Sequence, residues 1–506
     1  MNTVQISDPE QLQDEVFSLR DKVKNYENEV TTLKEQLAWL TKQVFGQKSE
    51  KIISDLDSNQ LTFEGFENLI PEEEKKEIKG HTRSKNNRKG KDKISLPPNL
   101  PVEQEIIDIS EEEKICSETG KPLVKIGEEV SYKLAHKPGS YYLKEIIRLK
   151  YALPKESEGG IRTAPLPETL LPKCRADESL LAEICTKKFA DHLPLYRIQE
   201  HLSRLDIQIS RPLLSNWVVQ SGLALYPLYL EMQKRILGSN NVFADETPVD
   251  LQVPGKGKTH QAYMWVLAGG DGPSPPYRTY HFRLNRNHCH IGDLLGSYRG
   301  VLHSDKYGAY ETLAKEKKII WCPCWSHIRR KFVEAESGDP VFRKWILRKI
   351  RYLFLLERVA WNRSKEERLK IRKTKEEPII DEILEAIKRR LIEGKILPKS
   401  NFKKALGYIL SLSVYVKNYI NHSEARLDNN VAERAIRPLA IGRKNWMFIG
   451  SEERGKAAAV LLSLIQTCRG LEINPREYLE DVMRRIMSHN SQKLFELLPD
   501  QWAKNR

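Results

Sequence analysis

NVFADETPVDLQV, residues 241–253, decides how this chain folds, because here the hydrophobic period shortens from the helical value to two. Three stretches of the same kind follow: AYMWVLAG (262–269), YRTYHFRLNR (277–286) and GVLHSDKYGAY (300–310). A helix-like HIGDLLGSY (290–298) precedes the last of them. Three antiparallel strands, a crossover helix and a further strand predict an α/β sheet. Downstream, 327–420 is largely helical and strongly basic, and AAAVLLSLIQTC (457–468) reads as one buried helix, too short for the ~20 residues of a membrane span.

Upstream of the sheet, 176–222 has a helical pattern. LPLYRIQEHLSRL (193–205), DIQIS (206–210) and RPLLSNWVVQSG (211–222) have the layout of two helices joined by a tight turn. As a helix-turn-helix this would place Arg211, Ser215 and Asn216 on the groove-reading helix; as an ordinary helical hairpin it would not touch DNA. Residues 97–165 turn to short alternating stretches such as EQEIIDI and KEIIRLKYAL, punctuated by Gly120, Gly127 and Gly139, which predicts a small β-rich module. Before it, PEEEKKEIKGHTRSKNNRKGKDKI (71–94) is too polar to bury a core. Its cations, Lys79, Arg83, Lys85, Arg88, Lys89, Lys91 and Lys93, suit either a phosphate-following arm or a solvated tether. At the start, Leu12, Val16, Leu19, Val23, Tyr26, Val30, Leu33, Leu37, Leu40 and Val44 alternate steps of four and three, a heptad seam. The regular period favours a self-associating coiled coil over one amphipathic helix packed on its own domain.

The chain has 506 residues, enough for several domains, and a formal charge of +14. A charge of that size calls for an anionic partner, and nucleic acid is the economical one. A membrane surface is the rival, yet the opening MNTVQISDPEQLQDE is polar and no stretch approaches ~18 consecutive apolar residues. Seven cysteines scattered over the chain argue against a disulfide framework and for a reducing compartment, the cytoplasm.

Three carboxylates are candidates for joint chemistry. Asp245 falls inside a strand among Val242, Phe243 and Ala244, where an unpaired charge needs a partner or a metal. Asp305 ends another strand at LHSD, a position that also suits a cap or a turn residue. Glu433 lies in LDNNVAERAIRPLAIGRKNW, a helix that an asparagine starts and Pro438 ends or kinks. With Asn430 as the cap, Glu433 is the third helical residue, where a capping-box carboxylate belongs; pattern alone leaves that role and metal binding both open. Its neighbours Arg434, Arg437, Arg443 and Lys444 are candidate phosphate partners. Phosphodiester cleavage and joining need an activated oxygen and a stabilised leaving oxygen, and two Mg²⁺ ions about 4 Å apart can serve both. Such ions take a few carboxylates converging from different elements.

Resemblance goes further than pattern. DET at 245–247, SDKYGAY at 304–310, CWSHIRRKF at 324–332 and DNNVAERAIRP at 428–438 look like the signature segments of insertion-sequence-66-type transposases. The likeness continues through RKNWMFIGSEERG, the SLIQTC helix and NPREYL (474–479), and upstream through the heptad helix followed by FGQKSEK (45–51). It implies a multidomain α/β protein with a ribonuclease-H-like catalytic core and a DDE triad, which maps onto Asp245, Asp305 and Glu433 as catalytic and metal-binding residues. It further implies Mg²⁺ or Mn²⁺ as cofactor, two ions together, and cleavage and strand transfer at the terminal inverted repeats of a bacterial mobile element. Double-stranded DNA, and small accessory proteins of the same element, are the implied partners; the implied location is the bacterial nucleoid.

The resulting organisation is 1–50 coiled coil, 51–96 basic linker, 97–165 β-rich module, 166–235 helical DNA-binding region, 236–326 first part of the catalytic core, 327–425 helical insertion, 426–485 second part of the core, and 486–506 C-terminal tail. One departure from the family concerns the β-rich module, usually zinc-finger-like with two cysteine pairs. Here the first pair is reduced to Cys116 with Thr119 and no second pair exists, so a β shape without structural zinc is expected. Cys322, Cys324 and His327 have ligand chemistry but lack a fourth ligand, and the favoured reading is a buried strand end whose His327, Arg329 and Arg330 approach DNA. His288-Cys289-His290 is expected to be a solvated turn. Two alternatives remain: a nuclease of the same fold that hydrolyses without joining, and a non-catalytic coiled-coil regulator in which the acids are caps and solvated charges.

Overall fold

The computed structural model describes residues 100–505, apart from 116–121, 138, 153–161, 254, 256, 270–275, 317, 337 and 395. The heptad seam, the basic linker, Cys116 and Thr119 lie outside the described residues. The first described segments pair as their alternation predicts. β1 (Val102–Ile107) runs parallel to β3 (Ser140–Ala152), β2 (Val124–Lys137) runs antiparallel to β3, and β4 (Arg162–Thr163) pairs with the end of β3. Gly139, at φ +84°, closes the β2–β3 hairpin in a conformation that a side chain would strain.

Four helices follow: α1 (Glu178–Phe189), α2 (Leu195–Ser203), α3 (Arg211–Ala224) and α4 (Tyr226–Leu237). Asp177 caps α1 through the Ser179 amide at 3.0 Å, and the same carboxylate pairs with Arg484, tying α1 to the C-terminal part of the chain.

The second sheet has the order β7-β6-β5-β8-β9. β5 (Asn241–Val253), β6 (Lys258–Gly269) and β7 (Tyr277–Arg283) form an antiparallel meander. Helix α5 (Cys289–Leu295) then leads to β8 (Val301–Ser304), parallel to β5, and α6 (Gly308–Lys315) leads to β9 (Ile320–Pro323), parallel to β8. β9 is a full sheet member where the sequence reading has only a strand end. HIGDLLGSY is helical as expected, but the helix already begins at Cys289, so His288-Cys289-His290 is a helix start and not a turn.

A helical segment comes next: α7 (Trp325–Glu334), α8 (Pro340–Ala360), α9 (Lys365–Ile371), a π-helical turn (Arg372–Glu376), α10 (Glu377–Ile392) and α11 (Asn401–Ser411). The chain returns to the sheet with α12 (Asn430–Trp446), α13 (Glu452–Gly470), α14 (Pro475–Arg485) and α15 (Pro499–Lys504). Every residue of α13 from Ala457 to Cys468 is buried, as a helix apolar all round must be. It lies so close to α3 that a Cβ on Gly222 would sit 2.6 Å from the Ala457 carbonyl oxygen. After α14 the chain folds back, burying Leu497, Leu498 and Trp502, with the Trp502 ring edge-on to Tyr478. Among the described residues no helix is long and apolar enough to cross a membrane.

Candidate active site

Strand register brings the two aspartates together. In the parallel β5–β8 pair, Asn241, Val242 and Phe243 stand opposite Val301, Leu302 and His303. The same offset carried two residues further sets Asp245 beside Asp305, which follows the last residue of β8. Both side chains are largely withdrawn from water. The Asp245 carboxyl is pushed up to about 8, first by burial and then by the charges of Asp305 and Glu246. Asp305 is pushed up to about 6 by burial and by Glu246, against the pull of Arg286. Asp245 Oδ1 accepts the Glu246 amide at 2.9 Å, whereas Asp305 Oδ1 is buried and has no hydrogen-bond partner among the described residues.

Glu433 reaches this patch from α12, more than a hundred residues downstream. The start of that helix is docked by Asn429, fully buried, whose Nδ2 donates to the Ala244 carbonyl at 2.9 Å, next to Asp245. The Asn429 amide in turn donates to Cys324 Sγ at 3.2 Å. Arg443, one residue of the same helix's last turn, donates to Thr247 Oγ1 at 2.8 Å and to the Pro248 carbonyl at 2.7 Å, so α12 is fastened to β5 on both sides of Glu433. This corrects one expectation and narrows another. The helix has Asn429 at its cap position with no side-chain cap, so Glu433 is the fourth helical residue and makes no capping box. Of the two roles open to Pro438, ending or kinking the helix, the first is excluded, since the helix continues to Trp446.

Glu433 faces His327 and Arg330 of α7, with Oε1 3.6 Å from His327 Nδ1 and Oε2 4.0 Å from Arg330 Nη2. Cys324, His327 and Glu433 form the tightest ligand-type group here, with one ligand atom from each within 4.8 Å of the others. Asp245 and Asp305 stand outside that group, coupled to Glu433 by charge. His327 is pushed down to about 4 by burial and by Arg330 and Lys331, so a neutral imidazole lies beside the glutamate at neutral pH. Cys322 is buried within β9, as a strand-end reading requires.

A fourth acid belongs to the patch although sequence reasoning passed it over. The Glu246 side chain is only 2% exposed, ion-paired with Arg286 and accepting from Tyr310 Oη at 3.0 Å. The Arg286 guanidinium lies over the Tyr307 ring, 4.2 Å from its centroid. The signal was present in DET, where Glu246 directly follows Asp245, and in KYGAY, which supplies both tyrosines. Of the other candidates, Arg329, Arg330, Arg434, Arg437 and Lys444 are exposed on α7 and α12, and Arg443 is committed in part to β5. Arg211 and Asn216 are exposed on α3, a separate part of the surface-bearing helical region.

The central strands of this mixed α/β protein thus deliver buried carboxylates to a surface flanked by arginines. The chain belongs to the IS66 transposase family: the family's main model, "Transposase IS66 family", matches residues 173–457. "Transposase C of IS166 homeodomain" matches 32–104, and "IS66 C-terminal element" matches 463–499. Two similar full-length proteins come from Sinorhizobium fredii, both uncharacterized. The protein y4qI is 30% identical over 93% of this chain and 89% of its own, and y4jD is 30% identical over 94% and 95%.

Proposed function

We propose that this protein is a DDE transposase that cuts and joins DNA at the inverted-repeat ends of its element, with Asp245, Asp305 and Glu433 as the metal-binding triad. The observation that carries the proposal is the pair of aspartates at adjacent strand ends, raised by burial and by neighbouring carboxylates, one with an oxygen that no donor among the described residues satisfies. An arrangement of this kind is unfavourable alone and suits a hard divalent cation, whose ligands are carboxylate oxygens. The sheet order, a three-strand meander followed by two parallel strands, supports a ribonuclease-H-like core, with the helical segment 327–425 as the insertion before the glutamate.

Mg²⁺ or Mn²⁺ held by the three carboxylates would activate the attacking oxygen and stabilise the leaving one. The chain's own residues do the positioning. Glu246 and Tyr310 hold Arg286 and the β5 edge in place, while Arg330, Arg434 and Arg437 present exposed guanidinium groups for phosphate oxygens. Asn429 and Arg443 fix the angle at which Glu433 meets the aspartates. No side chain is asked to become covalently attached to DNA. The exposed cations of the helical segment and Arg211 at the start of α3 support duplex binding.

The test uses the DNA flanking the coding region, end-labelled, with Mg²⁺. Wild type is expected to nick it and to join the freed 3′ end to a second duplex. Asp245→Asn, Asp305→Asn and Glu433→Gln are expected to bind the DNA equally and to do neither. A variant that cuts like wild type removes its residue from the site, and cutting without joining would make the protein a nuclease.

A further inference from the structure

Away from the carboxylates, a cavity of about 230 Å³ opens between α1, α2, α3, the end of β5 and the segment joining α12 to α13. Its lining is unusual in composition. Lys188, Arg211 and Arg454 enter it, together with the rings of Tyr196, Trp446 and Phe448, and no Asp or Glu is among the lining residues. Neither Lys188 nor Arg454 forms an ion pair with a carboxylate among the described residues. Lys188 instead lies over two aromatic faces, 5.3 Å from the Phe189 centroid and 4.9 Å from that of Trp446, and burial pushes its amine down to about 8. The Trp446 indole Nε1 is buried and has no hydrogen-bond partner among the described residues, which is rare for a native donor.

The wall bearing the rings is held under strain. Met447 sits at φ +68° and ψ −54°, and the Phe448 amide donates to the Trp446 carbonyl at 2.9 Å. That is a γ-turn of the rare kind, in a residue with a side chain, and such backbone persists only where its surroundings impose it. Here Ile449 imposes it: its amide donates to the Asp250 carbonyl at 2.7 Å and its carbonyl accepts from Gln252 at 2.8 Å, anchoring the turn to β5. Met447 and Phe448 remain 70% and 45% exposed. The cavity thus shares its strand with Asp245, roughly 20 Å away at ~3.3 Å per residue.

Cations without a carboxylate partner among the described residues select an anion, and the exposed rings of Tyr196 and Phe448 select a flat apolar surface. One ligand offers both in adjacent positions: a nucleotide, with the base stacking and the phosphate between lysine and arginine. We infer that this cavity receives an unpaired base of the bound DNA strand, stacked against Tyr196, Trp446 or Phe448, with its phosphate held by Lys188, Arg211 and Arg454. The inference rests on the reading of the protein as DNA-processing, and gives it a subsite for single-stranded or flipped-out nucleotides. A paired base, already stacked on both faces within its duplex, has no free face to offer.

The experiment measures binding of the full chain to three short DNAs: a blunt duplex, the same duplex with a few unpaired 3′ nucleotides containing 2-aminopurine, and one whose unpaired nucleotides are abasic. The 2-aminopurine DNA should bind about tenfold tighter than the blunt one and its fluorescence should be quenched on binding, while the abasic DNA falls back towards the blunt value. Tyr196→Ala and Lys188→Gln change partly exposed side chains and should abolish the preference and the quenching, leaving blunt-duplex binding as it is. Trp446→Leu should do the same, but its ring also packs on Phe189, so the other two variants decide if it fails to fold. Equal affinity for all three DNAs, or preference and quenching that survive both Tyr196→Ala and Lys188→Gln, would overturn the subsite while leaving duplex binding intact. Absence of all DNA binding would overturn the functional reading as well. If a free deoxynucleoside monophosphate competes as well as the overhang does, the cavity takes a free nucleotide and the inference fails.

Discussion

The protein buries acids in two places and treats them in opposite ways. Between α8, the π-helical turn and the segment after α11, Arg372 is fully buried and spends all its donors. It holds both oxygens of Glu357, at 2.6 and 2.8 Å, and the carbonyls of Tyr419, His422 and Ala425, at 2.8–3.0 Å. Glu376, pushed up to about 8 by burial and by Glu357, accepts from Tyr419 Oη at 2.8 Å. At the β5–β8 end Asp245 receives one backbone amide and Asp305 Oδ1 has no donor among the described residues. The first cluster contains its own countercharge in Arg372, although Glu376 Oε1 also lacks a donor among the described residues. The second has no cation paired directly with either aspartate among the described residues, which suits the metal-binding role proposed for it.

The largest effect that would break this contrast is chemical. Asp305→Asn and Glu433→Gln should each lower DNA cleavage on the order of 10⁴-fold with little loss of fold, read by strand cleavage at matched DNA occupancy. In the insertion the expectation is reversed. Arg372→Met should destabilise by about 3–5 kcal/mol, because it strands Glu357 and three carbonyls, and Arg372→Met with Glu357→Leu should recover much of that loss, read by denaturant unfolding. If the double variant is no better than the single, the cluster is not a self-contained pair.

A third test uses protonation. Asp245 and Asp305 have folded-state values above those of an unfolded carboxylate, so the folded protein holds their protons more tightly. Their contribution to metal-free stability therefore falls as pH rises from about 4 to about 8. Asp245→Asn should melt higher than wild type near pH 8 without metal and lose that advantage near pH 4. Mg²⁺ should raise the melting temperature of wild type more than that of the variant. Equal melting of the two proteins near pH 8 would refute the repulsion. The smallest effect concerns Arg286, whose charge lowers Asp305. Arg286→Gln should move the acidic limb of the pH–cleavage profile to higher pH by a fraction of a unit, since the carboxyl is then harder to ionise.

Much of this was legible along the chain. The period-two stretches gave the meander, whose strands run over thirteen, twelve and seven residues, whereas β8 has only four and was marked by the aspartate of LHSD that follows it. β9 has only four residues, IWCP, buried on both faces, and shows no alternation to detect. Nothing local marks Glu246, the middle residue of DET, because its partners Arg286 and Tyr310 are 40 and 64 positions away. The capping box failed for a related reason: Asn429, not Asn430, holds the cap position, and its amide side chain is taken by Ala244 of a distant strand.

Periodicity, charge and motif order were thus enough to establish that a strand-built α/β region carries acids and is surrounded by basic helices. They are local properties, set by which residues follow one another. That Asp245 and Asp305 share a register, that Glu433 comes from a helix fastened at both ends to β5, and that three cations and four rings line one cavity were decided by packing alone. Burial turns an ordinary carboxylate or lysine into a perturbed one, and burial is a property of neighbours that the chain brings together only when folded.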